Sequence, residues 1–420
     1  MNAPFPLSNT RRLVLFGLAA GAAQVAGCGG GGGDLAGIGS GGTGSFTTGV
    51  ITGLGSIIVN GVRYDDSGIT PERADDDSTV RALLPGMVVV IEASAVTPST
   101  TGGLPTARAS RIVYGSEWKG PVSSVDAPNN RFVILGQGVD VLANTAIIGA
   151  VNQLANLVAD THYVEVYGFV DPTTSRLQAS FIEVKTEQPA VYKLSGTISS
   201  IDTTNRTAQF GAAGSPLGIS WDSSARLPEG FGAASDGSFV RVVFDKTQDS
   251  NSRYRVTRIS PPRSPLGDLK REYNYEAEIE GTVTSFTSLT VFSVNGIPVD
   301  ATNATRTSGV LQAGARVEVK GRIENGQMIA IRIEIKSRQS DESEDFEFHG
   351  SIVSAASGSF TLRPKNASDS SRDLIFTYDG NTEFDDGLTS ASLTVSARLY
   401  EVKAVRSGAG YLAKEVKLDD

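Results

Sequence analysis

Few residues in this 420-residue chain are suited to bond-making chemistry: one cysteine, Cys28, and two histidines, His162 and His349. Neither histidine has another His or a Cys at the spacing of a metal-ligand motif. His162 stands before one alternating apolar run and His349 before another, so both read as surface or strand-edge side chains. No G-x-S-x-G elbow occurs, and the serines are scattered through turns. The glycines after Cys28 precede no helix and so form no phosphate loop. Carboxylates do cluster. YDDSGITPERADDDS holds Asp65, Asp66, Asp75, Asp76 and Asp77, and a second group comprises Asp341, Glu342, Glu344 and Asp345. Hard oxygen ligands of this kind can hold Ca²⁺, which makes Asp75, Asp76 and Asp77 the candidate cation ligands. Neither cluster has the D-x-D-x-D-G order of a preformed loop, and acidic runs are more often solvated linkers.

The cysteine belongs to different chemistry. Arg11 and Arg12 precede a 13-residue apolar run, Leu13 to Val25. A bilayer span needs about 20 residues, so the run is too short to cross but suits an export signal. It ends Val25-Ala26-Gly27-Cys28, which resembles the lipobox of bacterial lipoproteins. That resemblance implies cleavage between Gly27 and Cys28, a diacylglyceryl thioether on the thiol, and acylation of the new N-terminus. Gly29 follows the cysteine in place of an inner-membrane-retaining aspartate, so the resemblance points to the outer membrane. TRRLVLF (10–16) also looks like a twin-arginine export signal, although Val14 stands where that motif prefers an aromatic. Residues 29–45, GGGGGDLAGIGSGGTGS, lack the apolar content to fold and read as a tether. Its root-mean-square span is roughly 20–25 Å.

The full chain carries a net charge of −9, and losing residues 1–27, with two arginines and no acid, brings it to −11. Nucleic-acid binders need a basic stripe to replace counterions, so a nucleic-acid partner is not expected. With Cys28 consumed, no internal disulfide can form, and stability must come from packed cores. Forty-seven glycines among short Val-, Ile- and Thr-rich runs point to an all-β chain.

Two phrases recur. VEVYGFVDPTTSRLQASFIEV (164–184) and VEVKGRIENGQMIAIRIEI (317–335) share an alternating hairpin pattern, with weaker forms at 88–113, 240–259 and 400–418. A second phrase precedes each, starting at Gly49, Gly120, Gly196, Gly281 and Gly350, and Val-Asn-Gly recurs at 59–61 and 294–296. The roughly 70–85-residue period exceeds that of solenoids, so each copy is expected to be its own small domain. The expected boundaries are 46–118, 119–188, 189–263, 278–338 and 347–420, with linkers at 264–277 and 339–346. Charged or proline-rich stretches at 187–194, 261–278 and 337–348 break the alternation. In the second copy Ile147, Val151, Leu154 and Val158 fall at helical spacing, which predicts a short helix within 144–161. Five strands with a helix between the third and fourth is the order of an OB-type barrel, giving a string of five small barrels. An open sandwich is the alternative for copies without the helix. The V-E-V-x-G…A-x-x-I-E phrase resembles that of bacterial lipoproteins built from tandem β-rich domains of unknown function, a likeness that implies architecture and no activity.

OB-type barrels stack oligosaccharides or oligonucleotides on aromatics, so Trp118 and Trp221 are candidate ligand-contacting residues, with burial in a core as the alternative. The functional expectation is a non-enzymatic, lipid-anchored envelope protein that presents β domains to an envelope protein or polysaccharide and needs no cofactor. A glycan-binding protein is the second reading, and a carboxylate-based hydrolase the third.

Overall fold

Alternating apolar residues and Asn-Gly turns fold more than half of the described residues into strands. The computed structural model describes residues 45–74, 82–100, 102–261, 275–336, 345–367 and 369–419. Among them there is no α-helix, and no helix long and apolar enough to cross a membrane. Barrel 1 is built from β1 (Ser45–Leu54), β2 (Ile57–Val59), β3 (Val62–Asp65), β4 (Glu72–Arg73), β5 (Val88–Ala93) and β6 (Thr106–Tyr114). Barrel 2 contains β7 (Trp118–Asp126), β8 (Arg131–Ile134), β9 (Gln137–Gly149), β10 (Tyr163–Asp171) and β11 (Arg176–Lys185). Barrel 3 contains β12 (Tyr192–Asp202), β13 (Thr207–Phe210), β14 (Leu217–Arg226), β15 (Phe239–Gln248) and β16 (Tyr254–Ser260). Barrel 4 follows with β17 (Tyr275–Phe286), β18 (Val291–Val294), β19 (Ile297–Asp300), β20 (Thr305–Arg306), β21 (Arg316–Glu324) and β22 (Gln327–Ile335). Barrel 5 is β23 (Phe346–Ala356), β24 (Ser359–Pro364), β25 (Leu374–Thr377), β26 (Glu383–Phe384), β27 (Leu399–Ser407) and β28 (Gly410–Leu418).

Every repeat closes the same way. In barrel 2, β7 pairs with β8, β8 with β9, β9 runs parallel to β11, β11 pairs with β10, and β10 returns to β7. Barrels 1, 3, 4 and 5 repeat this circuit, including the parallel pairing of third and fifth long strands. That closed order is the OB barrel, and it disposes of the open-sandwich alternative. The extra two-residue strands β4, β20 and β26 each run parallel to the last strand of their barrel.

The repeated glycines have specific work. Asn60 and Gly61 adopt φ of 51° and 70°, and Asn295 and Gly296 adopt 49° and 79°, as a tight primed hairpin turn requires. The Asn295 side chain then folds back across Gly281, accepting from Thr282 N and donating to Glu280 O, both at 3.0 Å. A Cβ on Gly281 would lie 2.2 Å from Asn295 Nδ2. The glycine of V-E-V-x-G, Gly168 or Gly321, sits where the strand register shifts by a bulge.

Two expectations need correction. Residues 144–161 form no helix: β9 runs on to Gly149, pairing Ala146 and Ile147 with Phe181 and Ile182. Only a 3₁₀ turn, Leu154–Asn156, follows, and Leu154 with Leu157 enters the core where a helix would have plugged the barrel. The helical spacing was real, but the β-branched residues inside it are used by a strand instead. Nor are the barrels a string. β1 runs parallel to β17 through Ser45–Thr48 and parallel to β23 through Gly53 and Leu54. One apolar core joins barrels 1 and 5 and takes in Tyr167 and Phe181 from barrel 2, while another runs through barrels 2 and 3. The stretches at 187–194 and 261–278 accordingly contain the starts of β12 and β17.

Candidate functional site

The V-E-V phrase shows where charge is placed. On β10, Val164 and Val166 enter the core, so the intervening Glu165 must face outward. Glu318 on β21 and Glu401 on β27 hold the same position. Each glutamate is flanked by a residue of the first strand and one of the fifth: Lys119 and Glu183, Glu280 and Glu334, His349 and Lys417. Outward-facing charge normally stays wet. Here neighbouring strands and barrels cover it, and Glu165 and Glu318 are only 1% and 7% exposed.

Around Glu165 the cover is cationic. Arg73 of barrel 1 donates to it at 2.6 Å, Lys185 at 2.5 Å, and Lys119 lies at 3.2 Å. Burial pushes the carboxyl up, but Lys119, Lys185 and Arg73 together outweigh it and hold its pKa below the usual carboxylate value. Barrel 4 reverses the balance. Glu278, Glu280 and Glu318 crowd together, with Lys320 at 2.7 Å from Glu278, Lys336 at 2.9 Å from Glu318 and Arg316 at 2.7 Å from Glu280. Burial first, then the hydrogen bond and charge of Glu318, push Glu278 well above the usual range. Glu318 is also raised by burial, but the hydrogen bond from Glu278 and the two lysines bring it down to about 2. Of the pair, Glu278 therefore keeps its proton to the higher pH and Glu318 loses its own first. Glu280 accepts from Val50 N of barrel 1 at 3.0 Å, tying this group across the β1–β17 seam.

The third group surrounds His349, which is fully buried. Arg63 Nη2 of barrel 1 approaches His349 Nε2 at 2.5 Å and donates to Glu347 Oε1 at 3.0 Å. Nε2 also lies 2.9 Å from Glu347 Oε1 and Nδ1 lies 3.0 Å from Asp419 Oδ1, so each ring nitrogen faces a carboxylate. Lys417 lies 2.8 Å from Glu401 Oε1. Burial raises Glu347, but hydrogen bonds with His349 and Arg63 prevail and lower it. Ligand atoms of Glu347, His349 and Glu401 lie within 4.8 Å of one another. Two glycines let barrel 1 press against this strand: a Cβ on Gly53 would lie 2.1 Å from Glu347 O, and one on Gly55 2.0 Å from His349 O.

The other candidates fall elsewhere. Gly27, Cys28, Asp75, Asp76 and Asp77, and the acids Asp341, Glu342 and Glu344, lie outside the described residues, while Asp345 is exposed. Trp118 is 1% exposed and donates its indole N–H to Ser195 O at 2.9 Å. Trp221 is 8% exposed and packs edge-on against Phe231 at 5.6 Å. Both are core residues of barrels 2 and 3, which corrects the stacking-platform expectation: their rings point where the apolar alternation points. Asp66 is engaged by Asn366 Nδ2 at 2.8 Å, and Asp65 by Ser67 N at 3.0 Å. The surface reading fails for both histidines. His162 is buried and accepts from Val158 N at 2.9 Å, holding a turn closed. Sequence reasoning missed Arg63 and Asp419, which are 286 and 70 residues from His349. The one legible signal was the recurrent glutamate.

Comparison with known proteins agrees with the repeat count in part. Residues 119–183, 280–334 and 349–417 match the family model of a domain of unknown function, DUF5666. These are barrels 2, 4 and 5, so the chain contains repeated domains similar to that family. No curated protein matches the chain. Among solved structures, Drosophila Unr CSD456 is 14% identical over 56% of this chain and 98% of its own, with a TM-score of 0.13. A multidomain protein with nucleic acid binding domains from Streptococcus pneumoniae is 10% identical, covering 54% of this chain and 73% of its own, with a TM-score of 0.12. The OB assignment rests on the strand pairing itself.

Proposed function

We propose that the chain is a lipid-anchored envelope protein whose five barrels form a fixed scaffold for presenting binding faces to an envelope partner, with no catalytic step of its own. The observation that carries this reading is the use made of β1, which is hydrogen-bonded into barrel 4 along one stretch and barrel 5 along the next. First strands supply these seams, and β7 likewise pairs with β12. Side chains on the second and third strands remain exposed in four of the barrels: Arg131 in barrel 2, Ser223 and Ser224 in barrel 3, Val291 and Pro298 in barrel 4, Ile375 and Thr377 in barrel 5. Faces held in fixed relation on one chain let weak contacts add through effective concentration. The anchor follows from Cys28 and its preceding signal, and two or more acyl chains hold a bilayer stably. The acidic balance favours a protein or polysaccharide partner over nucleic acid. With Trp118 and Trp221 inside the cores, the glycan reading loses the platform on which it stood.

The test is fractionation of a Gram-negative host expressing the native chain or Cys28→Ala, followed by crosslinking in the envelope. The reading expects outer-membrane native protein, soluble Cys28→Ala, and a partner captured only by the anchored form. Identical partitioning of the two overturns the anchor; substrate turnover lost on a single carboxylate change overturns the scaffold role.

A further inference from the structure

The group around His349 has features that a plain ion-pair network does not require. Glu347 and His349 stand two apart on β23, so they share one face, and Glu401 stands directly opposite His349 on β27. All three belong to barrel 5, so the group is assembled within one repeat. An imidazole and two carboxylates within 4.8 Å of one another form a mixed nitrogen–oxygen donor set. Three ligand atoms around a tetrahedral ion stand about 3.3–3.5 Å apart, within reach of small side-chain rotations.

A second observation is independent of that convergence. Asp419, itself 7% exposed, holds His349 Nδ1 at 3.0 Å. A carboxylate on the far nitrogen orients the ring so that Nε2 points into the group, the arrangement usual behind metal-bound histidines. The third observation is what Nε2 faces. Arg63 Nη2 sits 2.5 Å from Nε2 and 3.0 Å from Glu347 Oε1, so a positive charge already lies against two of the three donors. Arg63 comes from a different barrel, its side chain is 25% exposed, and its Nε has no hydrogen-bond partner among the described residues. Lys417 engages Oε1 of Glu401, which leaves that carboxylate its second oxygen.

We propose that Glu347, His349 and Glu401 bind a divalent first-row transition ion of the Zn²⁺ class, with Asp419 orienting the histidine and Arg63 as the resident cation that the metal displaces. The imidazole nitrogen selects against Ca²⁺ and Mg²⁺, which take all-oxygen shells. Three protein ligands leave a fourth position for water or for a group from a partner. The proposal is independent of the scaffold reading: it concerns barrel 5 and stands whether or not the chain is anchored.

The test is a Zn²⁺ titration of the full chain, stripped with chelator, against a chromophoric competitor, alongside melting curves with and without Zn²⁺. The site predicts one saturable equivalent that raises the melting temperature. His349→Ala and Glu401→Gln weaken it by at least about tenfold. Arg63→Gln, which removes the rival charge, tightens it, and Ca²⁺ at the same concentration gives no shift. Should His349→Ala fail to fold, Glu401→Gln decides. The proposal is overturned if native protein shows no saturable Zn²⁺ binding, if binding is unchanged in Glu401→Gln, if Arg63→Gln weakens it, or if Ca²⁺ binds with the same dependence on Glu401.

Discussion

Glu165 and Glu318 hold the same place in the same phrase of two repeats, yet they are stabilised by opposite means. Glu165 is surrounded by three cations, one from another barrel. Glu318 shares its surroundings with Glu278 and Glu280, and its charge is kept by two lysines and by a proton resting on Glu278. The difference teaches that the repeat specifies a position, outward from strand four and beneath a neighbour, and leaves each barrel to solve the resulting desolvation. In barrel 5 the solution includes a histidine, and in barrel 3 the glutamate is replaced by Arg241, which donates to Ser116 O at 3.0 Å.

Breaking the comparison on its cationic side has the largest effect. Glu165→Leu removes the counter-charge from Arg73, Lys119 and Lys185 and is expected to cost about 3–5 kcal/mol in urea unfolding. A loss below about 1 kcal/mol would show that water reaches the group in solution. Next is Gly53→Ala, whose methyl would meet Glu347 O at 2.1 Å and force β1 off β23. Overpacking of this kind costs about 1–3 kcal/mol, and the same change at exposed Gly380, which has no positive φ and nothing within 4 Å of its Cβ, serves as the control.

Acid separates the two regions by sign. The folded values of Glu165 and Glu318 are depressed, so their contribution is present above the unfolded value of 4.5 and is lost as pH falls, for Glu318 toward about 2. Glu278 is raised, so its contribution is present below 4.5 and is lost as pH climbs through its folded value. Stability measured against pH should therefore show Glu165→Leu flattening the acid limb and Glu278→Gln flattening the limb above 4.5; exchange of these two assignments would refute the protonation pattern. The smallest effect belongs to Glu278→Gln in mild acid. An amide replaces a carboxyl that is already neutral, and the change should stay within about 0.5 kcal/mol.

Much of this architecture was legible in the sequence, for definite reasons. Period-two alternation marked the strands, and Val-Asn-Gly marked hairpins whose asparagines turn out to lock back onto Gly49 and Gly281. The five starts gave five barrels. What failed was anything decided between repeats. Ile147 fits a helix equally well until β11 supplies Ile182 as its strand partner. Trp118 could be placed inside or outside only once Ser195 O is seen to accept its N–H. The His349 group was invisible because Arg63 and Asp419 reach it from opposite ends of the described chain. The string of barrels was inferred from charged intervening segments, whereas β1 carries the joints.

These joints are expected to make the barrels one cooperative body. The two tryptophans lie in barrels 2 and 3, and the β1–β23 joint lies between barrels 1 and 5. Urea unfolding should be followed by tryptophan fluorescence and by far-ultraviolet circular dichroism, for the native chain and for Gly53→Ala. Coincident transitions are expected in the native protein, with a common shift of both signals in the variant. A fluorescence transition that stays in place while the dichroism splits into separate steps would contradict it and restore five independent domains.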